Sequence, residues 1–258
     1  MRADSASGYF ETALPRILAH RGLAMGAPEN TLLAFLHALS NGATHLETDL
    51  HATLDGVAVL SHDPDLSRLV GRDLRIDQLT YTELKRIDIG EGQNVVSLRE
   101  ALDAFPEASF NLDVKAGAAV LPTAQAVLAA QAAGRVLIAS FSEERRQETV
   151  SLVPGVATSA SAGMLLKAIP AARSGLTGMV RRILSGVDAV QVPERTRGIR
   201  IVTPRFIRTM HDAGLEVHVW TVNDSPAMHR LLDLGVDGIV TDRCDLAAVV
   251  LEERRARL

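Results

Sequence analysis

The sequence predicts a closed (β/α)8 barrel, an α/β fold, and three observations carry that reading. Short apolar runs alternate with helical stretches eight times in 258 residues. A glycine (Gly42, Gly134, Gly155, Gly186, Gly214 or Gly235) stands just before six of the runs, where a left-handed residue ends the preceding helix at little cost. Three run starts resemble one another, GATHLETD at 42–49, GVDAVQVP at 186–193 and GVDGIVTD at 235–242, as a repeated βα unit would. An open doubly wound sheet shares the alternation, because closure leaves no mark in the sequence.

The elements follow in order. Residues 1 to about 15 are small and polar and read as a loosely held arm. Strand one ends at His20, and a Gly/Pro loop leads to Asn30 or Thr31 as N-cap of a helix reaching about Ser40. Strand two is Thr44 to Leu50, followed by a hairpin at 54–57 and a return strand ending at His62-Asp63. The charged stretch at about 65–96 reads as an insertion after strand two, with a short helix at 80–87. Ser97 and Glu100 form a capping box for a helix to Phe105. Ser109 to Val114 is strand three. Strands four to eight fall near 135–140, 156–159, 187–192, 216–222 and 236–241, separated by helices. One stretch, Met164 to Leu184, is longer than one barrel helix needs, and Pro170 and Gly175 are expected to break it. The whole of 1–258 reads as a single barrel domain.

Composition narrows the function classes. The chain is 47% hydrophobic with net charge −4 and no Lys/Arg-rich block, which argues against a nucleic-acid partner. Cys244 is the only cysteine, so no intrachain disulfide forms. No run of about 18 apolar residues exists, and the N-terminal stretch lacks the apolar core of a signal peptide. The expected location is the cytosol.

The stretch from Thr44 to Asp63 carries the chemistry. Side chains alternate along a strand, so Glu47 and Asp49 share one side and Leu46, Thr48 and Leu50 the other. Two buried carboxylates that close repel each other, and a divalent cation between them relieves the repulsion; oxygen ligands favour Mg²⁺ or Ca²⁺. In a barrel, chemistry sits at the C-terminal strand ends. His20, Glu47, Asp49, Asp113, Lys115, Trp220, Asn223, Thr241 and Asp242 all fall there, with His62 just after strand two, while the opposite ends hold mostly Val, Leu and Ile. This set suits an anionic phosphate ester: acids for a hard cation, Arg21 and Lys115 for phosphate oxygens, two histidines for proton transfer.

The motifs AHRG at 19–22, PENT at 28–31, LETDL at 46–50, SHD at 61–63, LDVK at 112–115, VWTVN at 219–223 and GVDGIVTD at 235–242 resemble the glycerophosphodiester phosphodiesterase family, in order and over nearly the whole chain. The resemblance implies a TIM barrel with an insertion after strand two. It also implies metal-dependent hydrolysis of glycerophosphodiesters to an alcohol and glycerol 3-phosphate. It places His20 and His62 as the acid/base pair, and Glu47, Asp49 and Asp113 as ligands of one Mg²⁺ or Ca²⁺. Arg21, Lys115, Trp220 and Glu29 become substrate-binding residues. Asp113 departs from the family's usual glutamate by one methylene.

Two further functional readings stand beside this one: a lysophospholipase D-like activity on lysolipid diesters, and a non-catalytic phosphate-ester-binding barrel. The segment Met164 to Leu184, with Lys167, Arg173, Arg181 and Arg182 and no acid, has two readings of its own. It is either an ordinary outer helix or a cationic lid that rests on an anionic lipid surface. Asp242 reads as a structural cap, and His37, His45, His51, His211, His218 and His229 receive no role.

Overall fold

The computed structural model describes residues 8–256. Its parallel strands are β1 (Arg16–His20), β2 (His45–Ala52), β3 (Ser109–Val114), β4 (Val136–Ala139), β5 (Ala157–Thr158), β6 (Ala189–Pro193), β7 (Glu216–Trp220) and β8 (Gly238–Thr241). Their hydrogen-bonded order is β5-β4-β3-β2-β1-β8-β7-β6. A parallel bridge between Ser159 and Ala189 joins the two ends, where Asp188 N donates to Thr158 O at 2.8 Å and Ala160 N to Ala189 O at 3.0 Å. The sheet is therefore a barrel, and the open doubly wound alternative falls.

Alternation sorts each strand into two faces. Leu46 and Leu50, Phe110 and Leu112, Val190 and Val192, and Val217 and Val219 belong to the layer between barrel and helices. The other parity faces inward, and the register places its members side by side. His20 pairs with Glu47 and Asp49 with Asp113. Gly238 shows how tight the interior is, since a Cβ there would lie 2.8 Å from the His218 ring and 3.0 Å from Leu18. The insertion at 65–96 carries its own small apolar cluster of Leu66, Ile76, Leu84 and Ile89 with Val59 and Val95.

The two capping predictions hold. Thr31 caps Leu32–Ser40, and Ser97 with Glu100 forms a capping box on Leu98–Ala104. Four expectations fail. Of the loosely held arm, residues 1–7 lie outside the described residues. Gly8–Phe10, however, is a 3-10 turn with Tyr9 fully buried against Leu137, Ala157 and Ala189. Nor do mostly Val, Leu and Ile hold the N-terminal end of the barrel, where Arg16, His45, Ser109 and Glu216 begin strands. Arg16, 1% exposed, is paired with Glu216 by two 2.9 Å bonds and also donates to the carbonyls of Phe10 and Thr12. Pro170 does not break its helix, which runs Ala162–Arg173; Gly175, at φ +79°, separates it from a second helix, Thr177–Ile183. Lastly, Gly134 does not hold the left-handed position before β4; Gln131 does, at φ 52°.

These features also settle the place of the 164–184 stretch. Ala168, Ala171 and Ala172 are buried, and Leu165 and Ile169 are packed against the core. Arg181 donates to Asp212 O, beside a cavity of about 460 Å³ lined by His211, Gly214 and Asp237 at the barrel's N-terminal end. The stretch is an outer helix with a short second helix, and Arg181 lies at the end of the barrel away from the mouth. No helix among the described residues is long and apolar enough to cross a membrane.

Candidate active site

The HRG run is shaped by where the chain must turn. His20 closes β1, Arg21 takes φ 56°, and Gly22 takes φ 84°. A Cβ on Gly22 would lie 2.8 Å from the Ala34 backbone, where Leu23 N donates to Ala34 O, so only glycine fits. A left-handed arginine is unusual. It is held by Arg21 N donating to Glu47 O at 3.0 Å and by Asn30 N donating to Arg21 O at 2.9 Å. Asn30, itself left-handed, accepts from Thr48 Oγ1 at 2.7 Å. The HRG, PENT and LETDL motifs are thus one physical unit.

Charged contacts run continuously across one side of the mouth. Lys115 Nζ lies 2.6 Å from Asp113 Oδ2 and 2.7 Å from Asp49 Oδ1. Arg21 lies 3.1 Å from Asp49 and 3.2 Å from Glu29. Arg68 meets Glu29 at 2.6 Å and Asp63 at 2.7 Å, and Asp63 meets His62 Nδ1 at 2.7 Å. Glu29 is therefore taken up by two arginines and orients them. Arg68, inside the insertion, was not anticipated, nor was His51, whose Nε2 donates to His62 O at 3.3 Å.

Across the mouth stands a second His–carboxylate pair. His20 Nδ1 and Asp242 Oδ1 are 2.6 Å apart, and Asn223 Nδ2 donates to Asp242 Oδ2 at 2.6 Å. Asp242 is thus more than the cap expected of it. Burial works against protonation of His20, but the Asp242 hydrogen bond and then the charge of Glu47 overcome it and hold the imidazole above its ordinary pKa. Neither His20 Nε2 nor His62 Nε2 has a protein partner among the described residues. Trp220 closes β7, and its ring stands edge-on to Phe141, with centroids 6.3 Å apart. Phe141, 58% exposed, also lies under Lys115 Nζ at 5.6 Å; nothing in the sequence singled it out.

The acids are short of cations. Burial, then Asp49, pushes the Glu47 carboxyl up to about 8, and burial raises Asp113 despite Lys115. Among the described residues the Glu47 carboxylate accepts only from the Arg21 backbone N–H, at 3.1 Å. Asp113 Oδ1 is buried without a hydrogen-bond partner among the described residues, and Asp49 Oδ2 has only the 3.1 Å ion contact with Arg21 Nε. Among the described residues no group of three or more His, Cys, Asp or Glu side chains is arranged to hold a metal ion, and Lys115 lies between two of the expected ligands. Even so, the donor chemistry suits a hard cation, because Glu47, Asp49 and Asp113 offer only carboxylate oxygens.

A sequence model of the Glycerophosphoryl diester phosphodiesterase family matches residues 20–246. A probable glycerophosphodiester phosphodiesterase 2 of Mycobacterium tuberculosis is 41% identical over 239 residues, covering 92% of this chain and 90% of the relative. A lysophospholipase D of Rattus norvegicus is 25% identical, covering 89% and 83%. The crystal structure of a glycerophosphodiester phosphodiesterase from Agrobacterium tumefaciens superposes with a TM-score of 0.77 at 26% identity, covering 93% of this chain and all of that one. An Oleispira antarctica phosphodiesterase, solved in complex with the product sn-glycerol-3-phosphate, superposes with a TM-score of 0.78 at 23% identity, covering 95% and 99%, and supports the fold.

Proposed function

The chain belongs to the glycerophosphoryl diester phosphodiesterase family, and on that premise we propose that its mouth hydrolyses glycerophosphodiesters to an alcohol and glycerol 3-phosphate through a His20/His62 pair, aided by one divalent cation. The enzyme is a phosphoric diester hydrolase. The observation that carries the reading is the pair of histidines, each tied through Nδ1 to a carboxylate, facing one bed of acids and bases. A barrel that only bound phosphate esters would need no such pair.

The roles follow from the contacts. Arg21 and Lys115 bind phosphoryl oxygens and orient the diester. His20, which holds its proton more tightly than a free imidazole, gives a proton to the leaving alcohol oxygen as the P–O bond breaks, and His62 takes one from the water whose oxygen bonds to phosphorus. Asp242 and Asp63 fix ring orientation and tautomer. Trp220, with Phe141, walls the organic part of the substrate. Glu47, Asp49 and Asp113 would hold Mg²⁺ or Ca²⁺, which supplies polarisation of a phosphoryl oxygen when bound. The aromatic wall also accommodates a lysolipid diester, which is the second reading.

The test is release of glycerol 3-phosphate from glycerophosphocholine by purified protein, with Mg²⁺, with Ca²⁺ and with chelator, alongside His20→Ala and His62→Ala. Each variant should lose about 10²–10⁴-fold in turnover. A variant that keeps more than about a tenth of the rate would remove that histidine from proton transfer.

A further inference from the structure

We infer that the rim segments after β4, β5 and β6 form a lipid-docking edge that seats this enzyme, mouth down, on an anionic bilayer surface. Each of these segments holds out one large apolar side chain: Phe141, in the loop after β4, is 58% exposed, Leu166, on the helix Ala162–Arg173 that follows β5, 78%, and Ile199, in the loop after β6, 54%. The segments are neighbours. Ala162 N donates to Phe141 O at 3.3 Å, joining the first two. Phe141 meets Trp220, which pairs in register with Pro193 at the exit of β6.

The third segment was not anticipated from the sequence. It is a small hairpin, Arg195–Thr196 against Ile199–Arg200, turning through Arg197 at φ 48° and Gly198 at φ 79°. All its residues are exposed, so it gains little from packing, and a lone two-stranded hairpin is marginal in water. An isoleucine at such a tip, between arginines, is placed to enter a headgroup layer while the guanidinium groups meet lipid phosphates.

Charge points the same way. Glu194, the acid beside the hairpin, is already held by Arg230 at 2.7 and 2.9 Å, with Arg200 at 3.8 Å. Arg195, Arg197 and Lys167 have no ion-pair partner among the described residues. Of the seven Lys and Arg in 160–200, Lys167, Arg195, Arg197 and Arg200 belong to the segments of this edge, against Asp188 and Glu194, in a chain of net charge −4. Asp188 is spent at the barrel's base on Thr158 N. Separate protruding tips would bury little against a rigid protein, whereas each can sink into a soft, anionic interface. The inference rests on the diester-hydrolase reading for the substrate such an edge would collect, but docking is read without turnover.

The test is co-sedimentation of the full chain at low ionic strength with vesicles of phosphatidylcholine alone and of phosphatidylcholine mixed with phosphatidylglycerol. Wild type should bind the mixed vesicles and not the neutral ones. Arg195→Ser with Arg197→Ser should weaken binding about fivefold per arginine, and adding Ile199→Ser should weaken it further. Arg181→Ser with Arg182→Ser, the same charge change at the opposite end, should bind as wild type. Hydrolysis of glycerophosphocholine should stay unchanged in all of them, which reports folding and tests the activity separately. Absence of wild-type binding, hairpin variants that bind as wild type, or equal losses in the Arg181/Arg182 variant would each overturn the docking edge.

Discussion

Asp242 accepts a 2.6 Å hydrogen bond from His20 across 222 positions of sequence, and Asn223 donates to its second oxygen at the same distance. The carboxylate is thereby fixed on both sides. It holds the imidazole with Nε2 available and, with Glu47, keeps its proton at higher pH than a free histidine would.

Replacing Asp242 with Asn should therefore do more than lower the rate. His20 loses the anionic acceptor that raises its pKa, a neutral amide oxygen taking its place, so its protonated form disappears at lower pH. The alkaline limb of the kcat profile should move toward acid, with kcat falling more than KM changes. A variant with reduced kcat but an unmoved alkaline limb would make Asp242 a structural residue alone.

The second prediction concerns Asp113, one methylene shorter than the glutamate usual in the family. Its Oδ1 is buried without a hydrogen-bond partner among the described residues, while Lys115 holds Oδ2 at 2.6 Å. Asp113→Glu should be tolerated and bind Mg²⁺ or Ca²⁺ at least as tightly as wild type. Asp113→Asn removes a charge and should weaken the metal titration clearly. Calorimetric titration of both variants decides the matter; an Asn variant that titrates like wild type takes Asp113 out of the ligand set.

Much of this architecture is legible in the sequence because the informative residues are close together there. Glu47 and Asp49 share a strand face by parity alone. His20, Asp113, Trp220 and Asp242 are placed at one rim by the βα alternation. The partners are not legible. Asp242 meets His20, and Arg16 meets Glu216 across 200 positions, only because barrel closure sets β8 beside β1 and β7 nearby. Arg68 sits in a charged insertion where any of several arginines has the same local pattern. Pro170 misleads because tertiary packing of Ala168, Ala171 and Ala172 outweighs a local helix penalty. Tyr9 misleads because a small, polar flank conceals one aromatic ring that plugs the barrel.

Tyr9 yields the third prediction. Its ring is fully buried between Phe10 and His45, while its hydroxyl has no hydrogen-bond partner among the described residues, and burial raises its pKa. Tyr9→Ala should cost about 3–5 kcal/mol by leaving a cavity. Tyr9→Phe keeps the ring and removes an unsatisfied polar group, so it should be neutral or stabilising by about 1 kcal/mol. Urea midpoints of the two variants test this. Clear destabilisation by the Phe variant would show that the hydroxyl has an ordered partner.

The last prediction follows from the histidine beside that ring. His45 Nε2 lies 3.0 Å from Tyr9 O, which can only accept, so Nε2 carries the proton, and Nδ1 lies 2.9 Å from Thr44 Oγ1. The ring is fully buried, and burial holds its pKa down to about 3. The unfolded chain takes up this proton near 6.5 and the folded chain does not, so the unfolded state binds more protons between those values. Stability from His45 is therefore fully present above about 6.5 and is lost as pH falls toward 3, at up to about 1.4 kcal/mol per pH unit. Glu216, held down to about 2 by His218 and Arg16 against the effect of burial, acts with the same sign in a lower window, losing its contribution as pH falls from about 4.5. Histidines with raised pKa, such as His20 and His211, oppose the trend, so the comparison must be with a variant. His45→Gln can still donate to Tyr9 O but does not titrate. Between about pH 6.5 and 4.5, below the His45 reference and above that of Glu216, the wild-type unfolding free energy should fall more steeply than that of His45→Gln, by close to one proton's slope. Parallel curves over that range would mean that His45 takes up its proton in the folded protein as readily as in the unfolded chain.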